Sequence, residues 1–415
     1  MSPRYKLYAA IIPSLSKLPS VKHYSIPTMF LPSHACDVDA EPLHRFTGTG
    51  LNQRYRVIQK IGWGGNSTTW VAHDQLHGRN VALKVSVSEK SNNGEAHILN
   101  AISKLSKQYH GQEHPGRHHL VQMLDHFSVE GPNGIHDCLV LELLGPSVYQ
   151  MSSNLAKSTA YQALLGIDFL SRHKIGHGDL HSRNIAFTLP TLTFLNESRF
   201  LEKFGRPETM PVRSLDGMAL TAHVPNYIVR PISFNVQDIR EGLRTSTAKI
   251  IDFGEAFFQS QNAAAVYTPL VVRAPEAIFD DCIDQRIDMW SMGCLLFELV
   301  AGQPPFDAVM LTRAILVSEM MEFCGDELPD RWREKLDAMG MGRTGSTSDT
   351  PCTLLDWLED IYFDDNKVSE FTRQDIARVC ELVTRMLKFE PSSRASAKEI
   401  TDHPWFGGLK SYETI

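Results

Sequence analysis

The chain has 415 residues, 42% of them hydrophobic and 21% charged, with a formal net charge of −7. This length suits a two-lobed globular enzyme rather than one small domain, and the acidic balance argues against direct nucleic-acid binding while admitting a basic protein partner. Seven cysteines (36, 138, 282, 294, 324, 352 and 380) are odd in number and lack any C-x-x-C pair, which points to a reducing compartment, and no apolar run approaches the ~20 residues of a membrane span.

Residues 1–40 carry Pro and Ser without sustained periodicity, and Arg4, Lys6, Lys17 and Lys22 precede the first acidic residue, Asp37. A poorly ordered extension is expected, with a mitochondrial transit peptide or short basic arm as alternatives. Glu41–Gln53 reads as an ordered lead-in, and Tyr55 begins the first strand. At 61–72 the sequence is I-G-W-G-G-N-S-T-T-W-V-A, and V-A-L-K follows at 81–84. Glycines between two β-branched runs predict a hairpin whose backbone can approach a ligand closely. Helix-forming residues at 94–102 place Glu95 after the strand lysine, Lys84. Taken singly, these are a surface lysine and a solvated carboxylate; their order after the loop makes them natural partners.

Further strands are predicted over His118–Phe127 and 138–145 (C-L-V-L-E-L-L-G), then a helix over Ser158–Ser171. The histidines at 110, 114, 118, 119 and 126 match no zinc spacing and read as structural or solvated. His177–Asn184 spells H-G-D-L-H-S-R-N, and I-I-D-F-G-E stands at 250–255. A carboxylate such as Asp179 can orient a hydroxyl nucleophile and accept its proton. The Asn184 carbonyl oxygen and the Asp252 carboxylate are hard donors of the kind magnesium prefers. Gly254 is expected to let the chain turn sharply after Asp252. Residues 190–245, rich in Pro, Thr and Ser, read as an insertion, either a passive loop or a regulatory or docking element. R-A-P-E at 273–276, an apolar helix at 288–300 with Asp288 at its start, and P-S-S-R at 391–394 complete the pattern.

In this order the motifs resemble the eukaryotic protein-kinase family from about Tyr55 to Phe406. More narrowly, G-W-G-G-N-S-T-T-W-V, L-E-L-L-G, the placement of the insertion and Arg273 before A-P-E are similar to the SR-protein kinases, especially their shorter fungal relatives. The resemblance implies an α+β, bilobal protein-kinase fold over 41–406. The β-rich N-lobe would span about 55–145 and the helical C-lobe about 146–406, with a tail at 407–415. It implies ATP and Mg2+, and phosphorylation of serine in Arg/Ser-rich or basic proteins by a monomer in cytoplasm and nucleus. Ile61, Gly62, Gly64, Ser67, Val71, Ala82, Lys84, Leu141, Glu142 and Leu143 would then bind the nucleotide. Lys84 would pair the α and β phosphates, and backbone groups near Glu142 and Leu143 would bond the adenine edge. Asn184 and Asp252 would hold the metal, and Asp179, Lys84, Glu95 and His181 would form the catalytic set. Asp288 would hold the catalytic loop, and Glu276 would pair with Arg394.

The departures are informative. Gly178 replaces the arginine that usually precedes the base, so activity is expected not to wait on activation-loop phosphorylation. His181 replaces the usual phosphate-stabilising lysine, and Ser67 the third loop glycine. Pro269 stands where the family's substrate-positioning threonine aligns, with Thr268 one place off. An acidic stretch at 326–370 reads either as a docking groove for arginine-rich substrates or as a solvated face. Two other functions are weighed: a pseudokinase scaffold without turnover, and a small-molecule phosphotransferase, whose catalytic loop H-G-D-L-H also resembles.

Overall fold

The structure, a computed structural model, describes residues 51–87, 94–105, 114–131, 134–148, 155–213, 224–234, 247–261, 266–306, 312–339, 353–363 and 371–409. The expected extension at 1–40, most of the lead-in and the tail beyond Leu409 lie outside these residues.

Five antiparallel strands form the upper lobe: β1 (Tyr55–Trp63), β2 (Ser67–Asp74), β3 (Arg79–Ser86), β4 (Met123–Gly131) and β5 (Gly134–Glu142), in the order β1-β2-β3-β5-β4. Alternation along the strands separates two apolar faces. Val71, Ala82 and Leu141 stand in register across three strands and join the main core of the molecule. Trp70, Val81, Leu83 and Val140 point the other way, into a second cluster with Leu51 and Tyr55. The β2–β3 turn closes through Gly78 at φ +62°, a left-handed conformation natural to glycine. Helix α1 (Gly94–Leu105) buries Ala96, Ile98, Leu99 and Ile102 against the main core, and Glu95 lies one turn before Ile98 and Leu99 on the same inward face.

Two strand boundaries differ from expectation. His118 and His119 lie in a 3-10 turn, Pro115–His119, and β4 starts only at Met123. Pro115 favours a helical start, and Gly116 sits so tightly on the next helix that a Cβ there would lie 1.9 Å from the Leu165 carbonyl oxygen. The predicted strand at 138–145 breaks after Glu142, and Leu144–Ser147 forms a separate strand, β6, that pairs in the lower lobe.

The lower lobe contains α2 (Ala156–Arg172), β7 (Ile175–Gly176), β8 (Ile185–Thr188), α3 (Pro190–Thr193), α4 (Glu197–Phe204), β9 (Thr209–Pro211), β10 (Tyr227–Val229), β11 (Ala248–Ile250) and β12 (Phe257–Phe258). Helices α5 (Pro275–Ile278), α6 (Ile287–Ala301), α7 (Arg313–Cys324), α8 (Asp330–Ala338), α9 (Leu354–Tyr362), α10 (Arg373–Met386) and α11 (Ala397–Thr401) follow. Helix α6 is apolar on nearly every side, and a helix of that kind belongs inside a core. Capping boxes start α9 (Thr353, Asp356), α10 (Thr372, Asp375) and α11 (Ser396, Glu399), each an S/T-x-x-D/E pattern readable in the sequence. Among the described residues, no helix is long and apolar enough to cross a membrane.

The segment read as an insertion has more structure than its weak periodicity suggested. Asn196 caps α4, whose Phe200 is fully buried, and Phe204 packs edge-on against Phe234 at 5.5 Å. The segment also reaches the upper lobe. Buried Asn80 on β3 donates through Nδ2 to the carbonyls of Leu192 (2.9 Å) and Leu195 (2.7 Å). Arg56 pairs with Glu197, the Ile232 amide donates to the Lys60 carbonyl (2.9 Å), and Val229 enters the Tyr55–Trp70 cluster. These described parts of the insertion therefore tie the two lobes together. Asn80→Ala should strip both carbonyls of a buried donor and cost about 2 kcal/mol. The measurement is a thermal melt combined with limited proteolysis: the expected outcome is a lower melting temperature and faster cleavage around 205–213.

Candidate active site

The candidate site lies where the main-core face of the five-stranded sheet meets the loop between β7 and β8. Asp288, fully buried at the start of α6, accepts the His177 amide on Oδ2 (2.7 Å) and the Gly178 amide on Oδ1 (3.0 Å). Burial raises its pKa, opposed by His177 and the two amide donors. His177 is also fully buried. Its Nδ1 accepts the Asp179 amide (3.2 Å), so a neutral ring carries its proton on Nε2, which faces the Ile251 carbonyl at 3.0 Å. His177 thus links the residue before Asp252 to Asp179, a role that its position two residues before Asp179 would have suggested.

Asn184 donates through Nδ2 to the Asp179 carbonyl (2.8 Å) and to Asp179 Oδ2 (3.0 Å). The other carboxylate oxygen, Oδ1, is buried with no hydrogen-bond partner among the described residues. An unpartnered carboxylate oxygen is costly unless a ligand hydroxyl serves it. From the upper lobe, Lys84 Nζ contacts Glu95 Oε1 (2.9 Å) and Oε2 (2.7 Å) and Asp252 Oδ1 (2.7 Å). Burial lowers the Lys84 pKa, but Glu95 and Asp252 together outweigh it and raise the ammonium above its usual range. Glu95 additionally accepts the Phe253 amide (3.1 Å), joining α1 to the segment that carries Asp252.

The turn after Asp252 is made differently from the expectation. Asp252 itself adopts the left-handed conformation, at φ +62°, and Gly254 does not. What Gly254 provides is space, since a Cβ there would stand 3.3 Å from Asp252 Oδ1. At the glycine loop, Gly62, Gly64 and Gly65 face open space, but the Gly64 amide is committed to the Ser67 carbonyl (2.9 Å) and closes the hairpin tip. Ile61 packs partly buried against the main core above the row Val71, Ala82 and Leu141. The Glu142 amide is likewise committed, to the Gln122 carbonyl (3.0 Å), leaving the Glu142 carbonyl and the Leu143 backbone as candidates for an adenine edge.

His181 lies beside the site, with Nε2 3.6 Å from Asp179 Oδ2 and Nδ1 accepting the Arg183 amide (3.2 Å). Gly178 explains why an arginine is absent: its φ is +76°, and a Cβ would meet the Glu255 carbonyl oxygen at 2.7 Å. Thr268, one place off the family position, is buried and donates to the Gly178 carbonyl (2.6 Å), while its own carbonyl accepts Arg273 Nε (2.8 Å) and Nη2 (2.5 Å). The activation segment is thereby tied to the loop next to Asp179. Glu276 and Arg394 form a buried bidentate pair at 2.6 Å through both oxygens. Among the described residues no group of three or more His, Cys, Asp or Glu side chains could hold a metal.

The β-sheet lobe, the helical lobe and this lysine–carboxylate–asparagine constellation define an ATP-dependent phosphotransferase of the protein-kinase fold. The profile described as "Protein kinase domain" matches residues 240–406. The serine/threonine-protein kinase SRPK of Physarum polycephalum is 25% identical over 410 residues, covering 88% of each chain. A serine/threonine protein kinase of Aspergillus fumigatus is 26% identical over 378 residues, covering 86% of each. Protein kinase dsk1 of Schizosaccharomyces pombe is 24% identical over 452 residues, covering 85% of this chain and 80% of the relative. Over residues 240–406 the chain matches the protein kinase domain, and along most of its length it is similar to SRPK-type kinases. The domain implies ATP, typically with magnesium. The residues present fit that pair: two hard oxygen donors, a buried ammonium and a carboxylate oxygen awaiting a hydroxyl. The paired Glu276 and Arg394 and the Asp288 helix, features of protein kinases, count against a small-molecule phosphotransferase.

Two outcomes follow. Gly178→Ala should cost about 1–3 kcal/mol from strain at a left-handed position, checked by chemical denaturation. Lys84 holds the Asp252 carboxyl below its ordinary value, with burial opposing. Stability from that pairing is present above the unfolded carboxyl pKa of about 4 and is lost as pH falls through the lowered folded value. A Lys84→Met variant should therefore show a flatter acid limb in its profile of melting temperature against pH. Asp252 remains 46% exposed, so solvent screening keeps the difference small.

Proposed function

We propose that this chain transfers the γ-phosphate of ATP to serine in Arg/Ser-rich or otherwise basic proteins, without requiring activation-loop phosphorylation. The observation that carries the transfer is Asp179 Oδ1, buried and unpartnered while Oδ2 is held by Asn184. In that place it receives a serine hydroxyl, orients it and takes its proton. When bound, magnesium neutralises charge on the transferring phosphates, and Asn184 and Asp252 would hold it. Lys84, fixed by Glu95, positions the phosphates. His181 presents Nε2–H toward the same region, a weaker donor than the lysine it replaces.

Independence from phosphorylation is supported by Gly178, Thr268 and Arg273. The segment is anchored by an uncharged hydroxyl–carbonyl bond and by Arg273 on the Thr268 carbonyl, and no arginine stands before Asp179 to receive a phosphate. The substrate class is supported by kinship and by exposed acids on α8 and its approach, Glu327, Glu334 and Asp337, while Asp330 pairs with Arg333. Several other acids of that stretch already have work within the fold. Asp326 accepts the Phe389 amide, Asp356 caps α9 and Glu359 pairs with Arg373. Asp349, Asp364, Asp365 and Glu370 lie outside the described residues.

The test is radiolabelled transfer from Mg-ATP to an arginine-serine repeat peptide, using protein shown by mass spectrometry to be unphosphorylated. Serine labelling is expected, with a loss of at least about 1,000-fold in Asp179→Ala. ATP binding without any labelling would instead favour a scaffold. A separate charge reversal at Glu327, Glu334 and Asp337 should raise KM for the basic peptide and leave a short neutral peptide unaffected. An equal response of both substrates would remove the docking role.

A further inference from the structure

We propose that Lys249 is a positioning residue for nucleotide binding: it clamps the carboxylate of Glu142 and so fixes the direction of the Glu142 carbonyl at the adenine edge. The inference rests on the kinase reading above and deepens it. Lys249 lies on β11, three residues before Asp252, and its Nζ is 2.7 Å from Glu142 Oε1. The two side chains are only 14% and 23% exposed, unlike the surface pairs that salt screens to nothing.

Glu142 is the last residue of β5, at the passage between the lobes. Its Oε1 also accepts the Gln122 amide (2.8 Å), and its own amide donates to the Gln122 carbonyl (3.0 Å). Besides its place opposite Val81 in the sheet, these three bonds hold the residue from two further stretches of chain. Both stretches are themselves joined, because the Val121 amide donates to the Ile250 carbonyl (2.9 Å). One residue further on, the Ile251 amide donates to the Asn184 carbonyl (2.9 Å). The lysine thus couples the strand ending at the adenine edge to the strand that delivers Asp252 and touches Asn184. With the amide of Glu142 already committed, its carbonyl is the group whose direction the clamp determines. Releasing the carboxylate frees that peptide unit to rotate and weakens nucleotide binding, while the groups around Asp179 stay in place.

The full chain is compared with Lys249→Met and Lys249→Arg by calorimetric ATP titration, thermal melting and steady-state transfer to the arginine-serine peptide. Lys249→Met should raise the Kd and KM for ATP about tenfold, the loss expected when a charge-assisted bond is removed. It should leave peptide KM and saturated kcat within about twofold, the pattern of lost binding rather than lost transition-state stabilisation. Lys249→Arg, which keeps the charge and a donor, should recover most of the ATP affinity. Unchanged ATP affinity in a folded Lys249→Met protein would overturn the proposal. So would a fall in kcat alone, or a rate above wild type, which would make the pair a restraint on activity. Should Lys249→Met not fold, Glu142→Gln keeps an acceptor for Gln122 and removes only the charge. It is expected to weaken ATP binding severalfold, and unaltered affinity there would refute the role. A wild-type chain that binds ATP but transfers no phosphate would sink the kinase reading, and the calorimetric comparison would still decide on Lys249. A wild-type chain that binds no ATP would overturn both.

Discussion

Everything in the candidate site hangs on one buried carboxylate. Asp288 sits inside the apolar lower lobe, where an unsatisfied charge would be severely costly, and among the described residues the amides of His177 and Gly178 satisfy it. Each such bond to a charged acceptor contributes about 1.5–3 kcal/mol. The interdependence is mutual: the loop can adopt no other path without stranding the carboxylate, and the carboxylate is tolerable only while the loop stays. From that anchor His177 passes the constraint to Asp179 through Nδ1 and to Ile251 through Nε2. Asp179, Asn184 and Asp252 are consequently placed by backbone bonds of two neighbouring segments, with little left to side-chain freedom.

The upper lobe reaches this centre through fewer links, and each carries more. Lys84 and Glu95 meet Asp252 and the Phe253 amide, joining a sheet strand, a helix and the segment below them. Lys249 and Glu142 form a second link on another side of the site. The third is the insertion, through Asn80, Arg56, Val229 and Ile232. Two lobes joined by a single strand would hinge readily. These attachments, together with the Val121 amide on the Ile250 carbonyl, narrow the range of opening, which favours a site assembled before any substrate arrives. A pre-assembled site agrees with the uncharged anchoring of the activation segment at Thr268.

Much of this was readable from residue types in order. Lys84, Glu95, Asp179, Asn184 and Asp252 are brought together by the fold, and the Asp288 and Glu276–Arg394 interactions form as anticipated. These residues announce themselves because their chemistry demands particular side chains at particular offsets. The misses share the opposite property. Gly254 drew the turn because glycine tolerates any backbone conformation, yet Asp252 takes the left-handed position, held by Lys84 and its neighbours against its own preference. The strand expected from His118 gave way to a 3-10 turn because Gly116 packs against a carbonyl of α2, a tertiary contact that local pattern does not encode. The insertion looked unstructured because its short elements gain their stability from the surfaces they cover. Asn80, polar and unremarkable in a strand, becomes meaningful only beside two carbonyls more than a hundred residues away.

The departures from the family pattern then fall into one argument. At φ +76° with the Glu255 carbonyl close by, position 178 excludes any ordinary side chain, so the missing arginine is a consequence of backbone path as much as of charge. That path lets the Gly178 carbonyl accept Thr268, which compensates for the threonine being displaced by one residue. Glycine and threonine are thus two halves of one contact, and neither substitution makes sense alone. His181 belongs with them, because its Nδ1 is spent on the Arg183 amide and only Nε2 is left to face Asp179. A flexible lysine would have brought a full charge to that point. The imidazole brings a fixed direction, and a centre whose other groups are held by backbone bonds can use direction in place of charge.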